Sequence, residues 1–368
     1  MLALFSFLLI SAPSNYPLGI ALSGGGARGV AHIGVLEELE NSRIPISAIS
    51  GTSIGSLVGA LYASGFSISE IKQLLHSTDW EDLLFEDQPS RDNRPQREKD
   101  FYQRYLFDIE FGLKGADIVL PSSLARGQKL GLFLERLFLR TAEKSNFQNL
   151  PISFSCVATD LSTGASVVLK SGSLAEAVRA SMSYPGVFSA IELDGKLLTD
   201  GGSSNNLPVG EVRALGARDV LAVDVGSPLL EQKDLKGLLD VTNQFVQIMI
   251  RKNTDEEKRR ANILISPSIG QIRTFSFDAF DGLIEVGRQS VRDHWSELKK
   301  YQISESEYRK WREKTLLPDI KSIRIDEVRV PPFSKVSTRT LERRLSFEKE
   351  KDIRPEEIDQ KLDRLYAE

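Results

Sequence analysis

The residue types best suited to chemistry lie in one short turn, Gly51-Thr52-Ser53-Ile54-Gly55. The stretch before it, "IPISAIS", is short and apolar, as in a buried strand, and the stretch after it is typical of a helix. A serine at a sharp strand-to-helix turn exposes its Oγ, and the helix N-terminus stabilises the negative charge that develops during attack. G-x-S-x-G is common by chance, but in this setting it predicts that Ser53 is a nucleophile whose turn needs Gly51 and Gly55.

A nucleophile of this kind needs hydrogen-bond donors for an oxyanion, and a second glycine turn offers them. The segment "SGGGARG" follows the apolar stretch "LGIAL" and precedes the amphipathic stretch "GVAHIGVLEELEN". Consecutive glycines at such a turn can direct several N–H groups to one point, so we expect Gly24, Gly25 and Gly26 to form an oxyanion hole. We include Arg28 with the oxyanion-hole residues, because it adds a positive charge beside the glycines; that charge suits a phosphate, a brace for the loop or a surface ion pair.

The same glycines allow a second interpretation. Gly24, Gly26 and Gly29 fit G-x-G-x-x-G, the pattern of dinucleotide-binding turns. That kind of site needs an acidic residue about 20 residues later, at the end of the second strand. The second predicted strand ends instead in "SGT". We therefore rank a nicotinamide or flavin site well below acyl transfer.

The candidate base is Asp200, in "LLTDGGSSNNLP". It ends the second strand of a predicted hairpin that turns at Asp194-Gly195, and Gly201-Gly202 permits a tight turn directly after it. An aspartate within hydrogen-bond reach of Ser53 can take the hydroxyl proton itself. The alternative is an ordinary Asp-Gly turn, which is the commoner meaning of that dipeptide.

The three histidines lack the setting of a catalytic base. His294 lies on a charged helical stretch, His32 lies one turn into the helix after the glycines, and His76 belongs to no motif. The single cysteine, Cys156, lies in an apolar run and is expected to be a buried thiol. No Cys/His cluster has metal-ligand spacing, so we expect neither a metal ion nor another cofactor.

Four blocks, taken in chain order, resemble the motifs of one family, the patatin-like phospholipases. They are "SGGGARGVAHIGVL" for its oxyanion block, "GTSIGSLVGALYASG" for its nucleophile elbow, "ASMSYPGVFSA" for its A-S-x-x-x-P-x-x-F block and "DGG" for its D-G-[GA] motif. The resemblance covers residues 18–300, and four blocks in order make it specific. It implies a Ser53–Asp200 dyad that needs no histidine, with Gly201 and Gly202 in the aspartate motif.

The resemblance also implies a fold and an activity. The fold is a three-layer α/β/α arrangement with a mostly parallel central sheet, which agrees with the alternation of predicted strands and helices. The activity is hydrolysis of acyl esters of the phospholipase A or lysophospholipase type, on a phospholipid or another acyl-ester lipid at a membrane surface. The alternative is a catalytically inactive fold of this family that serves as a binding or secretion module.

We divide the chain into residues 1–14, 15–316 and 319–368. The first part, "MLALFSFLLISAPS", is too short to span a bilayer; it is interpreted as an export signal, a buried first strand or a start placed too late. The last part, a small α+β segment with one alternating strand, "IKSIRIDEVRV", and two short charged helices, resembles the opening of a POTRA domain. Some exported bacterial enzymes of this family carry that module before an outer-membrane barrel. Together these features predict an exported protein, periplasmic, at the outer membrane or secreted, with a cytoplasmic location as the alternative.

Charge and loop composition bear on partners. The net charge of −4 provides no basic footprint, so nucleic acid is not an expected partner, and nothing in the sequence indicates the oligomeric state.

Residues 79–126 mix charges and prolines with aromatic residues such as Trp80 and Tyr102, which predicts a long surface excursion without regular structure. Those rings either cover the site as a lid that parts at a lipid surface or anchor the excursion to the core.

Overall fold

The computed structural model describes most of the chain. The described residues are 16–85, 112–114, 117–119, 127–270, 280–318, 320–325, 327–328, 338–347, 352–355, 357–358 and 360–362. The predicted export signal over residues 1–14 and most of the predicted lid lie outside them, so both stay predictions. Among the residues that are described, no helix combines the length and the apolar character that a bilayer crossing requires.

The described part of the chain contains ten strands. They are β1 (Leu18–Leu22), β2 (Ala48–Thr52), β3 (Gly112–Lys114), β4 (Asp117–Val119), β5 (Ser153–Asp160), β6 (Ser166–Leu169), β7 (Ile191–Leu193), β8 (Lys196–Asp200), β9 (Asp219–Val223) and β10 (Ile263–Ile265).

Helices alternate with these strands through the first half of the chain and dominate the second half. They are α1 (Ala31–Asn41), α2 (Ile54–Ala63), α3 (Ile68–Ser77), α4 (Trp80–Phe85), α5 (Gln128–Leu137), α6 (Leu174–Ser181), α7 (Gly202–Asn205), α8 (Val209–Ala214), α9 (Leu238–Lys258), α10 (Phe280–Asp293), α11 (Trp295–Leu298), α12 (Glu305–Thr315) and α13 (Thr338–Arg344). A 3₁₀ turn over Gly26–Val30 leads into α1.

Two compact units divide the chain. The first draws on residues 1–78, 141–185 and 190–317, and the second on residues 79–140, 186–189 and 318–368. The first unit contains the large sheet and all the residues that the sequence analysis singled out for chemistry. The second contains α4, α5, α13 and the β3–β4 hairpin.

The central sheet is mixed, whereas the sequence predicted a mostly parallel one. The order of the strands along it is β10-β9-β1-β2-β5-β8-β7, and β6 also pairs with β5. The pairings from β10 to β5 are parallel, as expected where helices connect the strands. The pairings of β5 with β6, β5 with β8 and β7 with β8 are antiparallel, because short turns connect two of these pairs directly.

Helices cover both faces of this sheet, which supports the predicted three layers. A Cβ added at Gly59 of α2 would lie 2.9 Å from the Ile49 side chain, so Ile49 faces α2. Side chains alternate along a strand, so Ala48 faces the other side of the sheet. There it belongs to a buried cluster with Val209 and Val212 of α8.

The carboxyl ends of two other strands pair with adjacent residues of strand β5. Val157 pairs with Thr52 at the end of β2, and the next residue, Ala158, pairs with Asp200 at the end of β8. Both β5 residues also pair with β6, which therefore occupies the opposite edge of β5. Strands β2 and β8 thus share one edge of β5, run toward each other and end side by side.

The hairpin that carries Asp200 turns where the sequence predicts. Asp194 (φ 51°) and Gly195 (φ 73°) connect β7 to β8, and both backbones are in the left-handed region. Two such residues in a row give a tight turn whose twist matches that of the flanking strands, and Asp-Gly is a preferred pair for it.

In the second unit, the prediction of no regular structure over residues 79–126 is wrong at α4 and at the β3–β4 hairpin. Trp80 begins α4 and is buried, with its ring edge-on to Phe133 of α5 at 6.1 Å between centroids. Lys129 Nζ of α5 donates a hydrogen bond to Asp82 Oδ1 of α4 at 2.8 Å, which is a second contact between the two helices. The Trp80 ring is therefore packed against α5 within the second unit, and the two interpretations of the aromatic residues, lid or anchor to the core, stay predictions.

The C-terminal segment agrees with its prediction in part. The predicted helix within "STRTLERRLS" is present as α13. In place of a predicted strand, the described residues contribute an isolated antiparallel bridge between Ile323 and Ile353, beside an ion pair of Arg324 with Asp352 at 3.0 Å. The resemblance to a POTRA domain stays a prediction.

Helices α1 and α10 cross at very close range because each has a glycine at the crossing point. A Cβ at Gly34 would overlap the carbonyl oxygen of Ile284, and a Cβ at Gly287 would overlap that of Ala31. Backbone atoms cannot rotate away as a flexible side chain can, so any larger residue must separate the helices.

We expect Gly287→Ala to lower the free energy of unfolding by about 2 kcal/mol, as overpacking of a filled interface does. Gly282→Ala in the same helix is the matched control, because no heavy atom lies within 4 Å of its added Cβ. The control should raise stability by up to about 1 kcal/mol, since alanine favours helix over glycine. Urea unfolding of both variants measures the difference, and equal stabilities would contradict the close crossing.

Candidate active site

Ser53 occupies a strained turn between β2 and α2. Its backbone has φ 54° and ψ −128°, in the left-handed half of conformational space that a serine rarely adopts. Such strain costs on the order of 1–3 kcal/mol and persists only where the surroundings enforce it. Here Ser56 holds the Ser53 carbonyl with its N–H at 2.8 Å and its hydroxyl at 2.6 Å. Gly55 packs against the backbone carbonyls that end β1, where a Cβ would not fit.

The hydroxyl of Ser53 donates a hydrogen bond to the carboxylate of Asp200, with 2.6 Å between Oγ and Oδ2. The other carboxylate oxygen, Oδ1, accepts the N–H of Gly202 at 2.7 Å. The aspartate is itself held in place, since its N–H donates to the Ser183 carbonyl at 2.9 Å. One oxygen therefore faces the serine while the second fixes the orientation of the carboxylate.

The electrostatics of Asp200 suit a proton acceptor. The side chain is 2% exposed, and burial raises its pKa to about 6, although the hydrogen bonds from Ser53 and Gly202 oppose the shift. Burial disfavours the ionised form, which makes the carboxylate a stronger base than an exposed aspartate. At neutral pH the group is still mostly ionised and able to accept the hydroxyl proton.

A buried serine that the sequence analysis did not single out supports the turn. Ser181, the last residue of α6, accepts the backbone N–H of Ser53 at 2.9 Å and donates its own hydroxyl to the Val157 carbonyl at 2.6 Å. It links the strained turn to β5. The signal was present, since Ser181 is the serine of the A-S-x-x-x-P-x-x-F motif within the "ASMSYPGVFSA" block.

The glycine loop lies directly against Ser53. A Cβ added at Gly24 would lie 3.1 Å from the Ser53 Cβ and 2.6 Å from the Asn206 Oδ1. The N–H of Gly24 donates to the Asn206 carbonyl at 3.3 Å. Within the described part of the chain, the N–H groups of Gly25 and Gly26 have no hydrogen-bond partner. These two amides are the donors that remain for an oxyanion.

Arg28 holds the loop in place. The side chain is buried, its Nε donates to the Val225 carbonyl at 2.9 Å, and its Nη1 donates to the Gly270 carbonyl at 3.0 Å. A surface ion pair, one of the three interpretations of this residue, is excluded by its burial. The contacts to backbone carbonyls correspond to a brace.

The histidines make contacts other than with Ser53 or Asp200. His32 is fully buried, its Nε2 donates to the Ser23 carbonyl at 2.9 Å, and burial lowers its pKa to about 4. His76 lies 3.3 Å from Asp281, and His294 Nδ1 lies 2.8 Å from the Ser290 carbonyl. In the part of the chain that is described, no group of three or more His, Cys, Asp and Glu side chains is placed to hold a metal ion.

Comparisons with known proteins found the following similarities. The mouse patatin-like phospholipase domain-containing protein 6 is 29% identical over 300 residues, which cover 74% of this chain and 20% of the relative. Lysophospholipase NTE1 of Lodderomyces elongisporus is 27% identical over 299 residues, which cover 74% of this chain and 19% of the relative. Among solved structures, VipD from Legionella pneumophila has a TM-score of 0.42 and 18% identity, covering 79% of this chain and 68% of VipD.

The chain spans about a fifth of the length of the two sequence relatives. The family model for patatin-like phospholipase matches residues 20–213, more than half of the 368 residues. The matched range contains Ser53, Asp200 and the glycine loop. The chain therefore belongs to the patatin-like phospholipase family.

Proposed function

We propose that the chain is a serine lipid acyl hydrolase, of the phospholipase A or lysophospholipase type. The observation that carries this proposal is the 2.6 Å hydrogen bond from Ser53 Oγ to a buried carboxylate of raised pKa, Asp200. The names of the relatives, a patatin-like phospholipase domain-containing protein and a lysophospholipase, support an acyl-ester lipid as the substrate.

In the first half of the proposed reaction, Ser53 Oγ attacks the carbonyl carbon of the ester while Asp200 Oδ2 takes the hydroxyl proton. The carbonyl oxygen becomes an oxyanion, and the N–H groups of Gly25 and Gly26 stabilise it. When the tetrahedral intermediate collapses, the bond to the alcohol oxygen breaks. Asp200 returns the proton to that oxygen, so the alcohol leaves and an acyl ester on Ser53 remains.

In the second half, water replaces the alcohol. Asp200 takes a proton from a water molecule as the water oxygen attacks the acyl carbon, and the same two amides hold the new oxyanion. Collapse releases the carboxylic acid, and the proton on Asp200 returns to Ser53 Oγ. One carboxylate therefore acts as base and acid in both halves.

The alternative is an inactive member of the family that serves as a binding or secretion module. Two features favour the enzyme over it. The backbone strain at Ser53 costs stability, and strain of this kind is typical of functional sites such as a nucleophile turn. Within the described part of the chain, the amides of Gly25 and Gly26 have no hydrogen-bond partner, which leaves them able to stabilise an oxyanion.

We expect Ser53→Ala to lower the rate of ester hydrolysis by roughly 10³-fold or more, because residues of a catalytic pair act as a unit. A serine-reactive fluorophosphonate should label Ser53 in the unsubstituted chain and not in the variant. Ser162→Ala, an exposed serine in the turn between β5 and β6, is the control and should keep both properties. Hydrolysis at the full rate by Ser53→Ala would show that another residue is the nucleophile.

Asp200→Asn keeps the size of the side chain and removes the proton acceptor, so we expect it to lower the rate by roughly 10²–10⁴-fold. His294→Ala should leave the rate close to that of the unsubstituted chain, because its ring bonds to the Ser290 carbonyl of the preceding helix, α10. Circular dichroism establishes that both variants are folded. The reverse pattern, with the histidine variant silent and the aspartate variant active, would overturn the assignment of the base.

The pH profile of kcat/KM reports the base in the free enzyme. Below pH about 6 Asp200 is protonated and unable to accept the serine proton, so the rate should fall about tenfold per pH unit there and level off above. An exposed aspartate would place the fall near pH 4. A catalytic histidine would give the pH profile a similar midpoint. His76→Ala and His294→Ala therefore serve as controls, and neither should move the midpoint of the profile. A midpoint that moves in either variant would contradict the role of Asp200.

A further inference from the structure

Helix α9 presents one face to the active site. Ile250 packs on the turn after Asp200, where a Cβ added at Gly202 would lie 3.2 Å from its Cδ1. Asn253 Nδ2 donates to the Ser203 carbonyl in the same turn, at 2.8 Å. The buried residues of this face recur at helical spacing: Val246, Gln247, Ile250, Thr254 and Glu257.

The opposite face of α9 exposes large apolar side chains in a row. They are Val241 (48% exposed), Phe245 (69%), Ile248 (49%) and Met249 (45%), which we call the α9 stripe. Positions i, i+4, i+7 and i+8 lie on one side of a helix. Single exposed apolar residues are ordinary on a soluble surface, whereas a contiguous row marks a surface that binds something.

Two cations continue the α9 stripe toward the C-terminus of the helix. Arg251 and Lys252 are exposed, and neither forms an ion pair with any residue that the structure describes. Lys252 lies seven residues after Phe245 and Arg251 three after Ile248, so both adjoin the apolar row. The acidic residues Asp255 and Glu256 follow one turn later, so the cationic part of this helix surface ends at Lys252.

We propose that the α9 stripe docks on the surface of an anionic lipid bilayer. Its apolar side chains would lie at the boundary between headgroups and acyl chains, and Arg251 and Lys252 would lie among the phosphates, as in amphipathic helices that bind in the plane of a membrane. The unpaired cations favour this occupant, since an apolar protein partner gives them nothing to bind. The inference rests on the proposed function and extends it by naming the surface from which the substrate is taken.

The position of the α9 stripe would bring the active site close to a bound membrane. The same helix that would contact the bilayer holds the turn after Asp200 with its other face, through Ile250 and Asn253. Binding through α9 would therefore place the Ser53–Asp200 pair within one helix of the lipid surface, since a helix is about 10 Å thick.

The test is binding of the 368-residue chain to sedimenting vesicles, with Ser53→Ala in every protein so that the lipid stays intact. The vesicles are phosphatidylcholine alone, or equal parts of phosphatidylcholine and phosphatidylglycerol. Phe245→Ser with Ile248→Ser should weaken binding to both by about tenfold or more. Arg251→Gln with Lys252→Gln should weaken binding by about tenfold on the anionic vesicles alone and remove its salt dependence.

Leu161→Ser with Leu197→Ser is the matched control, because it also removes two exposed apolar side chains, 55% and 42% exposed, that lie outside α9. The control should bind as the unsubstituted chain does. With Ser53 restored, the α9 variants should hydrolyse a soluble short-chain ester at the full rate and lose rate on vesicle lipid in proportion to lost binding.

Vesicle binding that the α9 variants leave unchanged, or that the control loses equally, would overturn the proposal. So would an α9 variant that converts a dimer into a monomer in light scattering without losing vesicle binding, because a second copy would then occupy the stripe. Absence of hydrolysis by the unsubstituted chain would overturn the proposed function alone, since the binding measurements use the Ser53→Ala background.

Discussion

The arrangement of the site depends on one edge of β5. Two strands end on that edge from opposite directions, with Thr52 and Asp200 paired to adjacent β5 residues. The backbone ladders fix these ends, so the distance between Ser53 and Asp200 follows from hydrogen bonds of the sheet and not from the side chains alone. Ser181 adds a third link to β5 by bonding both the Ser53 amide and the Val157 carbonyl.

In the proposed mechanism, burial gives the Asp200 carboxylate part of the basicity that an imidazole has in a triad. A carboxylate in water is a weak base, and its ordinary pKa leaves it little tendency to take a proton from a hydroxyl. At 2% exposure the Asp200 carboxylate is destabilised as an anion, so proton transfer to it is less unfavourable. The orienting hydrogen bond that a third residue gives in a triad comes here from the Gly202 backbone.

Local patterns in the sequence predicted the elements that flank the site, because each of these depends on neighbouring residues. The strand before Ser53, the helix after it and the Asp194-Gly195 turn follow from periodicity and turn chemistry. The structure also brings together Ser53 and Asp200, which the sequence singled out from residue type and spacing and from a family resemblance. Local patterns could not predict contacts between distant segments. These are the edge of β5 that β2 and β8 share, the antiparallel part of the sheet, and the helix crossing at Gly34 and Gly287. The α9 sequence is apolar on two faces, so only the fold decides which one is covered.

The antiparallel pairing of β8 with β5 has a consequence for how this family member can vary. Side chains alternate along a strand, so a slip of one residue between β8 and β5 would turn the Asp200 carboxylate to the opposite face of the sheet. Their register is fixed where Ala158 pairs with Asp200 and Asp160 pairs with Leu198. An insertion or deletion of one residue in β8 between Leu198 and Asp200 would leave every reactive group intact in the chain and still turn the carboxylate away from Ser53. The length of this strand end, as well as its composition, is therefore a property that inheritance must preserve.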